Sequence, residues 1–274
     1  KGLVKEYNYN GKLTFEGEGK EDLIKSLLTK DSESDEEYFD FNKIIKMPEE
    51  LLVEKSSRSR EGLLLYIAAI NPLIPNIGSE DDQMSFDDFS NRMVKTFPDA
   101  VKNMPKYIIK PSEIEEIKKK YTKNYGDKAD KELKETLELG KKIFHNIETY
   151  GYPDWYEWSY DKWGCKWNSS CTYYNLEEGK VYFDTPWGPS VPVIEELARQ
   201  HPEMKITHEY AEEQIAFMCG KVEYDKGELQ SNEPYPYYSK DAFELYFELW
   251  GCEEDFKYDE AKGTYVEKNE GEME

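Results

Sequence analysis

Residues 150–192 read YGYPDWYEWSYDKWGCKWNSSCTYYNLEEGKVYFDTPWGPSVP and hold five of the chain's six tryptophans. Each indole carries a large apolar area, so such a density means either a core built on Trp155, Trp158, Trp163, Trp167 and Trp187 or a partly open aromatic surface. Packing is the commoner use of bulky aromatics, and the core reading is the expectation. Within the stretch, Trp167–Tyr174 and Lys180–Thr185 read as two strands joined through Asn175 to Gly179. In the second, Val181 and Phe183 point one way and Tyr182 and Asp184 the other. Ser190, with Pro192 two residues on, starts a helix whose Ile194, Leu197 and Ala198 form an apolar stripe. His201-Pro202 ends it.

Working outward, Asn8–Gly17 alternates, with Leu13 and Phe15 on one face and Lys12 and Thr14 on the other. That is the pattern of a half-buried strand. Glu21 and Asp22 favour a helix start through the dipole, and Leu23, Ile24, Leu27 and Leu28 follow at helical spacing. Met204–Tyr210 and Ile215–Tyr224 supply the last strands. The order β-α-(insertion)-β-β-α-β-β predicts an α+β fold, a ferredoxin-like split β-α-β sandwich with an extra strand, a large helical insertion and a short C-terminal helix. Helices are expected on one sheet face only. The expected division is 1–51 with 150–230 as a discontinuous domain, 52–149 as the insertion and 231–274 as C-terminal helix and acidic tail.

In the insertion, Pro48 with two acids behind it resembles a helix start. The segment 63–111 reads as helix broken by prolines at 72, 75, 98, 105 and 111. Ser85-Phe86-Asp87-Asp88 and Ser112-Glu113-Ile114-Glu115 carry capping patterns. Gly126-Asp127 separates two helices, the second striped by Leu133, Leu137, Phe144 and Ile147. Ser239 caps a helix bearing Phe243, Tyr246, Phe247 and Trp250 and stopped by Gly251. From Glu260 onward a frayed tail is expected.

The formal charge of −22 over 274 residues repels phosphate backbones, so direct nucleic-acid binding is disfavoured and a cationic partner is favoured. Aromatic content of 15% excludes a wholly disordered chain. The four cysteines, Cys165, Cys171, Cys219 and Cys252, form no CxxC pair and no disulfide framework. The longest apolar run, Leu63–Ile70, falls far short of the roughly 20 residues that cross a bilayer. No charged-then-apolar leader opens the sequence, and the expectation is a soluble cytoplasmic protein.

Five segments, in order, carry a family likeness: NGKLTFEG (10–17), FDFNKIIKMPE (39–49), WGCKWN (163–168), FDTPWGP (183–189) and YAEE (210–213). Together they resemble the YubB ferredoxin-like family of bacterial plasmids and phages. The chain departs from that pattern at Cys165 (Thr expected), Pro186 (Ala), Gly188 (Ser or Pro) and Gln214 (Gly). The insertion is also longer than the family's. The resemblance implies the fold and a mobile-element origin, and it implies no reaction.

Candidate ligand-binding residues are Trp163, Lys166, Trp167, Asp184, Trp187, Glu209 and Glu212. Lys166 could hold an anion, stack on Trp163 or Trp167, or simply run its stem past the aromatic layer. Asp184, His208, Glu209, Glu212 and Glu213 come from neighbouring strands, and their convergence would suit a metal or acid–base work. Strand alternation puts His208 and Glu209 on opposite faces, which argues against one shared site. His145 and His201 read as helix-end residues. No phosphate loop, nucleophile elbow or HExxH is present, so no catalytic residue, metal or cofactor is expected. The leading expectation is a non-enzymatic phage or plasmid accessory protein that binds a host or defence protein with a basic surface, as an inhibitor or DNA-mimic-like decoy. The alternative is a small-ligand or nucleotide site in the tryptophan-rich cleft.

Overall fold

The computed structural model describes residues 7–31, 36–70 and 111–268. The expected capping pattern at 85–88, the prolines at 72, 75, 98 and 105, and residues 32–35 lie outside them. The chain divides into two compact units, residues 1–46 with 159–274, and 47–158.

In chain order the first unit opens with β1 (Asn8–Glu16), α1 (Lys20–Leu27), β2 (Leu28–Lys30) and β3 (Glu37–Phe39). The second unit holds α2 (Ser57–Ile70), α3 (Pro111–Tyr125) and α4 (Ala129–Tyr150), and α5 (Trp155–Lys162) begins in it. The first unit resumes with β4 (Ser170–Asn175), β5 (Lys180–Pro186), α6 (Val191–Gln200), β6 (Lys205–Glu212), β7 (Cys219–Asp225) and β8 (Glu228–Pro234). It closes with α7 (Lys240–Trp250), β9 (Phe256–Asp259) and β10 (Thr264–Glu267).

The main sheet is antiparallel, in the order β4-β5-β1-β6-β7-β8. β5 and β6 run the same way on either side of β1, joined through α6, which is the split β-α-β arrangement. The fold is therefore α+β and ferredoxin-like, with β7 as the expected extra strand and β8 beyond it. One more strand joins the sheet than the alternation predicts, because β8 (ELQSNEP) is almost wholly exposed and carries no apolar face.

Registers Leu13 with Val181 and His208, and Phe15 with Ile206, put the buried side chains of the central strands on one face. Gly11 lies opposite Phe183, and a Cβ there would sit 3.0 Å from the Phe183 ring. The missing side chain gives that ring its room. Phe39 stacks on Phe183, Phe41 meets it edge-on, and Trp163 meets Phe41 edge-on. The helix α6 lies against β6, β7 and β8.

The opposite face is not left open. The helix α7 lies against β1, β6 and β7, with Ala242, Phe243 and Tyr246 clustered on Ala211 and Cys219. Asn10 donates to the Leu249 carbonyl at 2.8 Å and the Trp250 indole to that of Ala211 at 3.0 Å. This corrects the one-face expectation: the apolar stripe on α7 is too large to leave unburied, and Ala211 and Cys219 give it a small-residue seat.

Other boundaries shift for local reasons. The strand expected from Ile215 starts at Cys219, because Ala216 and Met218 have left-handed backbone (φ 49° and 51°) that no strand accepts. The strand expected from Trp167 starts at Ser170, since the Asn168 side chain takes the amides of Phe41 and Ser169. Pro48 opens only a short 3-10 turn, Glu49–Leu51. Helix α3 begins at Pro111, so Ser112 lies inside it rather than capping it. The tail described to Lys268 is not frayed, because β9 and β10 form a hairpin.

In the second unit, α2 and α4 cross at two glycines. A Cβ on Gly140 would lie 1.8 Å from the Gly62 carbonyl oxygen, so the backbones are in contact. Leu63, Leu64, Ile67, Ile143, Phe144 and Ile147 pack around that crossing, with Ile117 and Tyr121 from α3.

Candidate functional site

The tryptophan-rich stretch splits between core and surface. Trp158 and Trp163 are buried, and the Trp163 indole donates to the Ile45 carbonyl at 3.0 Å. Trp167 is 47% exposed. A tight corner holds the surface part: Lys166 N–H bonds the Pro186 carbonyl, and Trp187 N–H bonds that of Tyr7. Gly188 is needed there, since a Cβ would meet the Gly164 carbonyl oxygen at 2.1 Å. Trp187 itself takes φ 67°, turning its ring under Lys166. The Lys166 ammonium sits 3.4 Å from the Trp187 ring centroid and 5.5 Å from that of Trp167. These three residues form a cation–π cluster.

The carboxylates of the candidate set do not join it. Asp184 faces the α7 side of the sheet at the β4 edge, where burial raises its carboxyl's pKa and a hydrogen bond from Cys171 opposes the rise. Glu209 faces the same side two strands away and grips Lys12 at 2.7 Å. Lys12 is buried and also holds Glu248 at 2.6 Å. Burial alone would lower its pKa, but the hydrogen bonds and charges of Glu209 and Glu248 outweigh it and raise the value. Glu212 is buried on the other face, accepting a bond from the Tyr9 hydroxyl at 3.4 Å. Tyr9's own burial, then Glu212's charge, pushes its phenol up. His208 is buried on the Glu212 side, facing Phe183 and Tyr210. Of the two histidines expected at helix ends, His201 does end α6 and bonds Glu203, whereas His145 lies within α4 beside Thr149. A parity count separates this set: 208 and 212 share one face, 209 and 184 the other.

Beside the tryptophan corner lies an open pocket of about 790 Å³, which the sequence reading missed. Asp31, Glu36 and Glu37 line one wall and Asn168 to Thr172 another, with no basic side chain among the lining residues. The Tyr174 hydroxyl donates to Glu37 at 2.7 Å, which raises the phenol's pKa. Past the pocket, Tyr173 is 66% exposed and pairs with Tyr182 across the strands. The carboxylate run around Asp31 was the available signal. What the sequence hid was the approach of β3 to β4, carried by the Phe39 N–H to Thr172 hydroxyl bond at 3.0 Å. Carboxylates with exposed aromatic faces receive cations; an ammonium seated on indoles attracts anions.

Residues 162–253 match the family model described as a ferredoxin-like domain in Api92-like protein. Among solved structures, the protein api92 from Yersinia pseudotuberculosis is similar over 84% of this chain and 98% of its own, at 11% identity and a TM-score of 0.34. No curated protein matches the chain. The matched family segment takes in β4 to β8, α6 and α7, and it agrees with the ferredoxin-like reading of the sheet.

Proposed function

We propose that this protein is a non-enzymatic accessory protein of a phage or plasmid, of YubB type, that acts by binding a host or defence protein with a basic surface. The observation that carries the reading is the open pocket walled by Asp31, Glu36 and Glu37 on a chain of net charge −22. Such a field speeds the approach of a basic partner and rejects phosphate backbones. The scatter of His208, Glu209, Glu212 and Asp184 over two sheet faces supports binding over acid–base chemistry. The test is affinity capture from a bacterial host lysate, read by mass spectrometry at low and high salt. One enriched basic protein, released as salt rises, is expected; a capture no richer than a bare-resin control overturns the reading.

A second reading places a nucleotide or other small anion at Lys166, Trp167 and Trp187, favoured by the exposed Trp167 ring beside an ammonium. Tryptophan fluorescence against a nucleotide panel tests it. A quench that Lys166→Ala abolishes is expected, and an unchanged spectrum across the panel removes it.

A further inference from the structure

The turn before β7 and the segment after β8 run side by side and expose an apolar surface. Tyr238 N–H bonds the Ala216 carbonyl at 2.9 Å, and Tyr235 N–H bonds that of Cys219 at 2.9 Å. The Phe217 and Tyr237 rings lie 4.3 Å apart, and the Tyr237 hydroxyl reaches the Met218 sulfur at 3.3 Å. Despite these contacts, Ile215 (37%), Met218 (40%), Tyr237 (55%) and Tyr238 (57%) remain exposed. Four large apolar side chains in one place are more than the single exposed residues every surface carries.

The backbone beneath them is strained. Ala216, Met218 and Tyr238 all take left-handed φ, 49°, 51° and 58°. A plain turn would place glycine or asparagine there. Non-glycine residues held in this region collect where a surface is shaped for use.

The rim is acidic. Glu213, Glu233 and Asp241 are exposed, and Glu233, Asp241 and Glu209 lie close enough to raise the Tyr235 phenol after burial has done so. The lysines nearby are engaged: Lys221 with Glu223 at 2.8 Å and Lys240 with Glu244 at 3.5 Å.

We infer that this patch docks a basic segment of the partner protein in which arginine or lysine alternates with large aliphatic side chains. Tyrosine faces take the cations, Met218 and Ile215 take the aliphatic groups, and the carboxylate rim sets the sign of the partner. This rests on the basic-partner reading and adds the apolar half of the recognition.

The test titrates the full chain with three short synthetic peptides: arginine alternating with leucine, arginine alternating with glycine, and glutamate alternating with leucine. The arginine–leucine peptide is expected to bind tightest. Tyr237→Ala and, separately, Ile215→Ser are each expected to weaken it about tenfold or more, with circular dichroism unchanged and exposed Leu52→Ser as a control that leaves binding intact. The patch is overturned when the arginine–leucine peptide binds no tighter than arginine–glycine, or when both variants bind like the wild type. In either case a salt-dependent affinity for arginine–glycine leaves the basic-partner reading standing, and its absence removes both.

Discussion

His208 stacks on Phe183, ring centroids 6.4 Å apart and planes inclined 23°, and neither imidazole nitrogen has a hydrogen-bond partner among the described residues. The ring is fully buried, and burial holds its pKa down at about 3. An unfolded histidine takes its proton near pH 6.5, so below that pH the unfolded chain binds a proton the folded chain refuses. Stability from this group is complete above pH 6.5 and is lost as pH falls toward 3, at roughly 1.4 kcal/mol per pH unit. Between pH 7.5 and 5, His208→Leu should therefore gain about 2 kcal/mol on the wild type. Urea denaturation at the two pH values measures it, and parallel losses in both proteins contradict the assignment.

Lys12 is buried between two carboxylates, and it is the cation that makes their position tolerable. Lys12→Ala leaves Glu209 without its partner and should cost about 3 kcal/mol. The double change Lys12→Met with Glu209→Leu should recover most of that, since apolar packing replaces a buried pair at little loss. Chemical denaturation of the set decides it; a double variant as weak as the single one argues for a role other than charge compensation.

The Gly62–Gly140 crossing admits no side chain, with a Cβ on Gly62 meeting the Thr136 carbonyl oxygen at 2.3 Å. Gly140→Ala should force the two helices apart and cost about 3 kcal/mol, at the upper end of ordinary overpacking. Gly126→Ala meets nothing within 4 Å and pays only for its φ of 52°, about 1 kcal/mol. Thermal melts followed at 222 nm should separate the two variants clearly.

Two serines stand where the sequence suggests helix caps, and they should behave differently. Ser239 accepts from the Ala242 N–H at 3.2 Å, so Ser239→Ala should cost about 1 kcal/mol. Ser190 has φ 54°, caps nothing with its side chain, and buries a hydroxyl that has no hydrogen-bond partner among the described residues. Ser190→Gly should leave stability unchanged or raise it by a few tenths of a kcal/mol. Equal losses in the two variants would count against this distinction.

That pair marks how far the sequence could be read. Residue type at the right spacing located α6 and α7, but only φ tells a cap from a strained corner. Period-two alternation revealed β1 and β5 because each has one buried face, as Leu13, Phe15, Val181 and Phe183 testify. The same signal was silent at β8, an edge strand with little to bury. In the candidate site, Lys166 and its tryptophans were legible because they are close in sequence and meet across one tight corner. Glu209 and Glu212 looked like neighbours, and three residues of strand put them on opposite sides of the sheet. The Ile215–Tyr224 stretch reads apolar enough for a strand, and its left-handed residues convert the first half into the exposed patch.

β1 lies inside the main sheet, yet it precedes every other described strand of that sheet in the chain. Tyr9 pairs with Thr185 and Glu212, and its hydrogen-bonding partner Glu212 lies 203 residues downstream. At ordinary ribosomal speed of 5–20 residues per second, β1 waits roughly 10–40 seconds for both neighbours. The helices of 47–158 can pair locally in that interval, while Leu13 and Phe15 have no sheet to enter. Until those neighbours are made, β1 has an unpaired edge on each side, which makes it a natural client for chaperones during synthesis.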